Sequence, residues 1–240
     1  MKIIAFDTSN QPLSVAIFED GKLVDQRNTN QAKNHSTQLL PFMDELLKST
    51  GWQPQDLNQV IVSQGPGSYT GLRIAVTTAK TLAFTLGLSL VGVSSLALLA
   101  ANVINTEAVI VPIMDARNDN MYVGTYQRLD GQLEAVGNDH HSNLQHLIDE
   151  LKVLERPVTF VGEYQRFAPE LQAALPNVGF SEKNLPDASQ LLALAGQVKP
   201  LTELSDIHQF VPKYLRLSQA EVDWAKAHPG VSNHGFVEKV

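Results

Sequence analysis

The stretch KIIAFDTSNQPLSVAIFEDGKLVDQ (Lys2–Gln26) decides the fold, because its layout returns in the second half of the chain. It reads as an apolar strand ending at Asp7, a polar turn, a strand from Ser14 to Phe18, an Asp20-Gly21 hairpin turn and a third strand. AVIVPIMDARNDNMYVGTYQRLDGQLEA (Ala108–Ala135) offers a strand ending at Asp115, a polar turn, a strand around Met121 to Tyr126, an Asp130-Gly131 turn and another strand. The correspondence continues. HSTQLLPFMDELLKS from His35 and HSNLQHLIDELK from His141 both space their leucines as an amphipathic helix does. A buried strand follows each, QVIVS at Gln59–Ser63 and PVTFVG at Pro157–Gly162. The same order of elements twice predicts a duplicated β-β-β-α-β lobe.

Two such lobes resemble the ribonuclease H-like architecture of the actin, sugar-kinase and heat-shock ATPase superfamily, an α/β fold with a cleft between its halves. The expected division is an N-terminal lobe over 1–107, a C-terminal lobe over 108–217 and a polar tail over 218–240. In that superfamily the first strand ends in an acidic residue before a phosphate-binding turn. Here the turn is DTSN, without the glycine that lets backbone amides approach a phosphate. FVGEYQ, where an adenosine-binding segment is expected, holds the single glycine Gly162. Asp7 is therefore expected to cap its own turn.

Composition narrows the partners. Of the 240 residues 43% are hydrophobic and 18% charged, which suits a soluble globular protein. The absence of cysteine removes disulfides and thiolate chemistry and fits a reducing cytoplasm. The N-terminus is not a signal peptide, and no apolar run is long enough to span a bilayer. The formal net charge is −7, with no lysine/arginine cluster, so a role on RNA implies a partner that supplies the positive charge.

VIVSQGPGSYTGLRIAVTTAKTLAF (Val60–Phe84) has the strand, glycine loop and helix of a phosphate cradle. The spacing is wrong for a P-loop, since no pair of its glycines has four residues between them and a lysine after the second. The glycines read instead as a tight turn, with Ser68 or Thr70 capping the following helix. That helix has Leu72, Val76, Ala79 and Ala83 on one face and Gly71, Ile74, Ala75, Thr78 and Leu82 on another. Only Arg73 and Lys80 are charged, so it should be a core helix or one that meets a second subunit.

GPGSYTGLRIAVTTAKTLAF (Gly65–Phe84) resembles the signature of the TsaB family. AFDTSNQPLSVAI, HSTQLLP, VGVSSLALLA from Val91, MDARNDNMYVGTY from Met114 and PKYLR (Pro212–Arg216) occur in the family's order. The resemblance covers the chain up to about Leu217, with Tyr69 where phenylalanine is more usual and Ala75 where glycine is common. It implies a non-catalytic subunit that binds and activates the related enzyme TsaD, which makes threonylcarbamoyl-adenosine next to the anticodon of ANN-reading tRNAs. TsaE joins that complex, TsaC makes the adenylate, and tRNA is met only through the complex. A partner interface follows over Tyr69, Gly71, Leu72, Arg73, Ala75, Val76, Thr78, Ala79, Lys80 and Leu82, expected to pair with TsaD, or with itself as a homodimer when TsaD is absent. A bulky charged residue at Ala75 is expected to abolish that binding and spare the fold.

Catalytic and cofactor sites are not expected. TsaD carries a His-x-x-x-His metal motif on its next helix, and Ser95 and Leu99 align with those histidines here. His140, His141 and His146 lie close in sequence, but 141 and 146 should point to different faces of one helix; they and His35, His208, His228 and His234 read as surface or capping residues. Ser94 and Ser95 read as caps of the helix near Leu96. The alternatives are an ATP-dependent enzyme using Asp7, Thr8 and Asp115, and a metallohydrolase. In the tail, Ala220–Ala227 reads as a short helix anchored by Val222 and Trp224 and ended by His228-Pro229-Gly230.

Overall fold

The computed structural model describes residues 1–30, 35–216, 224 and 228. Strand β1 (Lys2–Asp7) pairs antiparallel with β2 (Leu13–Glu19), which pairs with β3 (Lys22–Thr29). Asp20 and Gly21 take φ 47° and 82° between them, the left-handed pair that a two-residue hairpin needs. Helix α1 (His35–Thr50) leads to β4 (Gln59–Gly65), helix α2 (Tyr69–Leu86) and β5 (Ser89–Ser94), and both strands run parallel to β1. The sheet order is β3-β2-β1-β4-β5.

The second sheet repeats this plan. Strand β6 (Val109–Asp115) stands where β1 does, and β11 (Val158–Gly162) and the short β12 (Val178–Phe180) follow parallel to it. The expected strand from Met121 to Tyr126 is two strands, β7 (Asn120–Val123) and β8 (Tyr126–Leu129), both antiparallel to β6. Gly124 causes the break. A Cβ there would lie 2.5 Å from an Asp139 carboxylate oxygen and 2.7 Å from the Tyr126 ring, and the Thr125 carbonyl turns to accept from the Val136 amide at 2.7 Å. Strands β9 (Gln132–Ala135) and β10 (His140–Asn143) share the role of β3, with Asp130-Gly131 repeating the left-handed turn.

One expectation is corrected here. The helix expected from His141 begins only at Leu144, as α4 (Leu144–Val153), because Asn143 caps it by accepting from the His146 amide. His140, His141 and Ser142 belong instead to edge strand β10, bonded to β7.

Three apolar layers hold the molecule together. Helices α1 and α2 cover one face of the first sheet. Helix α4 and α5 (Ala168–Ala174) cover one face of the second. Between the sheets lie α3 (Ser95–Ala101) and α6 (Leu191–Ala195), in a core that draws Ile3, Ala5 and Ile61 from one sheet and Ile110, Met114 and Val161 from the other. The sequence SLALLAA suits α3 to this place, since a helix apolar all round needs neighbours on every side. Helix α7 (Leu204–Gln209) packs on α2. No helix among the described residues is long and apolar enough to cross a membrane. The expected tail helix lies outside the described residues except Trp224, whose ring stacks on His228.

Candidate functional site: a sealed loop, a cleft and a free helix face

Strand β4 ends at Gly65, and the Gly-Pro-Gly turn carries the chain to α2, where Ser68 caps the helix by accepting from the Gly71 amide at 3.3 Å. The turn lies against the DTSN turn after β1. The Ser68 amide donates to the Ser9 carbonyl at 2.7 Å, and the Thr8 hydroxyl donates to the Gly71 carbonyl at 2.7 Å. A Cβ at Gly67 would stand 2.2 Å from the Ser9 carbonyl oxygen, and one at Gly71 1.9 Å from that of Thr8. These glycines let backbone approach backbone, so the cradle is filled by this chain's own main chain.

Beneath this seal Asp7 is fully buried, and its Oδ1 accepts from the Ser9 amide at 3.3 Å. The carboxylate caps its own turn, as the sequence suggested. Burial pushes its pKa up, opposed in part by the Ser9 amide, and its Oδ2 has no hydrogen-bond partner among the described residues. The repeat places Asp115 equivalently at the end of β6, where it accepts from the Arg117 amide at 2.9 Å. Asp115 is exposed in a cleft of about 680 Å³ between the DTSN turn, the Gly-Pro-Gly turn and the end of β6. Of the trio Asp7, Thr8 and Asp115, only Asp115 reaches the cleft. Two of its charged side chains bond to the main chain: Glu163 accepts from the Asp115 amide at 2.6 Å, and Arg216 donates to the Ala116 carbonyl at 2.7 Å. At the rim Tyr69 stacks on Tyr214, with ring centroids 4.9 Å apart, and Arg73 lies over the Tyr69 ring.

Helix α2 corrects half of the expected interface. Gly71, Leu72, Ala75, Val76 and Ala79 are buried against this chain's own sheet and turns and do not face outward. Ala75 is 0% exposed, so a bulky charge there cannot spare the fold. Tyr69 and Arg73 are exposed, and Thr78, Lys80 and Leu82 partly so. The Lys80 ammonium donates to the His208 carbonyl at 2.6 Å, which ties α2 to α7. The outer face adds Thr70, Thr77, Thr81 and Phe84, with Ile74 partly exposed; Phe84 is 63% exposed. Sequence reasoning left these exposed residues out of its interface because it favoured the arcs rich in small apolar side chains. The available signal was a phenylalanine among threonines on the arc opposite Leu72 and Val76. That outer arc carries two charged residues, Arg73 and Lys80, two turns apart, and Leu40 of the adjacent α1 is also exposed.

Ser94 caps α3 through the Leu96 and Ala97 amides, both at 3.1 Å, and donates to Asp139, which also accepts from the Tyr126 hydroxyl. This is a cap tied to a hydrogen-bonded carboxylate, and Ser94 has no histidine partner among the described contacts. Ser95 and Leu99, the positions that align with a metal-binding helix, are 0% exposed within the shared core.

Comparison with known proteins agrees with this geometry. Residues 22–224 match the family model described as TsaD: tRNA N6-adenosine threonylcarbamoyltransferase. The chain is 38% identical over 231 residues to tRNA threonylcarbamoyladenosine biosynthesis protein TsaB of Bacillus subtilis, covering 95% of this chain and 99% of that one. It is 29% identical to the TsaB protein of Escherichia coli, over 94% of this chain and 98% of that one. A solved Pseudomonas aeruginosa structure, described as an uncharacterized protein with similarity to peptidase YEAZ, superposes with a TM-score of 0.77 at 26% identity, covering 90% of this chain and 99% of that one. On its sequence, its duplicated sheets and these relatives, the chain belongs to the TsaB family.

Proposed function

We propose that this chain is a non-catalytic subunit of the machinery that forms threonylcarbamoyladenosine in tRNA, and that it acts by holding a TsaD-type transferase through the outer face of α2. The observation that carries this reading is the composition of that face: Phe84, Ile74 and threonines, with Arg73 exposed and the Lys80 ammonium already bonded to the His208 carbonyl. Threonine and partly buried Leu82 leave a shallow surface on which a second helix can lie at the usual 8–10 Å axial separation. Two helices from each partner would make a four-helix seam, burying roughly 1,200–2,000 Å² in total. Arg73 sits toward the rim, where charge sets register and partner choice more than affinity.

The sealed turn supports the non-catalytic half of the reading, since Thr8 and one oxygen of the fully buried Asp7 carboxylate are committed to internal hydrogen bonds. In this reading the partner supplies the tRNA-binding charge that a net −7 chain lacks, TsaE joins the complex and TsaC provides the adenylate in the cytoplasm. The same face pairs with a second copy when the partner is absent.

Light scattering of this chain, alone and mixed with TsaD from the same organism, tests the proposal. The expected result is a homodimer that converts to a mixed species, with Phe84→Glu abolishing both associations at unchanged melting temperature. A Phe84→Glu protein that still binds TsaD with wild-type affinity removes this face from consideration. No complex at all, with nucleotide and TsaE supplied, turns the reading toward an independent role for the interlobe cleft.

A further inference from the structure

The turn from β10 into α4 brings three ligating side chains together. Asn143 ends the strand and caps the helix in one residue, so His140 on the strand stands beside His146 and Glu150, one helical turn apart. His140 Nε2 lies 3.1 Å from Glu150 Oε2, and His146 Nδ1 lies 3.4 Å from Glu150 Oε1. The ligating atoms of all three are within 4.8 Å of one another, the one such trio of potential metal ligands among the described residues. Ligands on a tetrahedral ion at about 2.0–2.1 Å stand roughly 3.3–3.4 Å apart, so two edges are nearly formed and the third closes with a small side-chain movement.

The surroundings favour a cation. His140 Nδ1 lies 3.0 Å from the Asn138 carbonyl. A hydrogen on Nδ1 donated to that carbonyl leaves Nε2, which faces the Glu150 carboxylate, as the ligating nitrogen, the outer-shell arrangement found behind metal-bound imidazoles. The close approach of Nε2 to a carboxylate oxygen calls for a positive centre there, a proton or a metal ion. The Ser142 hydroxyl lies 3.1 Å from His146 Nδ1 and must release that nitrogen to an ion, keeping the Asn143 carbonyl that it also reaches at 3.3 Å. The three side chains are 34%, 61% and 38% exposed, enough for an ion to enter and for a fourth position to remain open.

We propose that His140, His146 and Glu150 form a binding site for a zinc-type divalent cation that pins edge strand β10 to helix α4. Two imidazoles and one carboxylate select zinc-like ions over magnesium, which demands oxygen ligands. The site lies on the second sheet, whereas α2 covers the first, so it does not depend on the proposed partner surface.

Zinc titration by calorimetry of the tag-free, chelator-treated full chain is the test, with cobalt absorption as a second readout. The expected result is one equivalent bound with a Kd on the order of micromolar. At a hundredfold excess of zinc over Kd, Tm should rise by roughly 5–10 °C. Magnesium should leave Tm unchanged. His146→Ala and Glu150→Gln alter exposed side chains and should fold, yet each should weaken zinc at least about tenfold and abolish the cobalt band. No saturable binding below millimolar zinc overturns the proposal and leaves a proton alone between His140 and Glu150. Stoichiometric binding that survives both substitutions overturns it too, because the ion then sits elsewhere.

Discussion

Gly71→Ala sets two physical effects against each other. Alanine is the better helix former by about 1 kcal/mol, so propensity alone predicts a more stable protein. The structure predicts the opposite. The new methyl would stand 1.9 Å from the Thr8 carbonyl oxygen, and backbone cannot swing aside as a flexible side chain can. Relief requires the DTSN turn to separate from α2, which removes the Thr8–Gly71 and Ser68–Ser9 hydrogen bonds. Each leaves a buried polar group wanting, at about 1–3 kcal/mol. Subtracting the helix gain leaves a net loss of about 1–5 kcal/mol, or a fall of about 2–20 °C in Tm for a chain of this size. Urea unfolding monitored by circular dichroism measures it directly. A Gly71→Ala protein as stable as the parent would refute the sealed-turn account, since helix propensity would then have outweighed the clash with Thr8.

Ala75→Glu places a carboxylate against the first sheet at a position 0% exposed, so it should abolish soluble folded protein, read by expression and circular dichroism. Asp7→Asn tests the buried carboxyl through pH. Its folded pKa is raised, so the wild type holds more protons folded than unfolded and loses this contribution as pH climbs from about 3.8 through the folded pKa. The difference in unfolding free energy, variant minus wild type, should therefore increase from pH 4 to pH 7, and a constant difference would count against it. Tyr126→Phe removes one of the two hydroxyl donors to Asp139 and should cost about 1–3 kcal/mol in chemical denaturation.

The duplicated sheets were legible because their signals are local. Two Asp-Gly turns require left-handed backbone, and the apolar runs around them alternate with polar turns. The inner face of α2 was harder to read. Both of its arcs carry small apolar residues, and only the approach of the Thr8 and Ser9 carbonyls, distant in sequence, decides which arc turns inward. The polar run His141–Asn143 looked like the start of a helix because histidine and asparagine lack strand character; pairing with β7 at a sheet edge overrode that preference. The same misplacement hid the meeting of His140 with His146 and Glu150, which needs one residue on a strand and two on a helix.

The dry layer formed by α3 and α6 has a consequence for how this molecule meets others. Leu96, Leu98, Leu99 and Ala100 are wholly buried and touch both sheets, so turning one sheet against the other would open that core to water. For the docking proposed through α2 this means a preorganised surface: little ordering entropy would be lost on association, and no preceding conformational step would be needed.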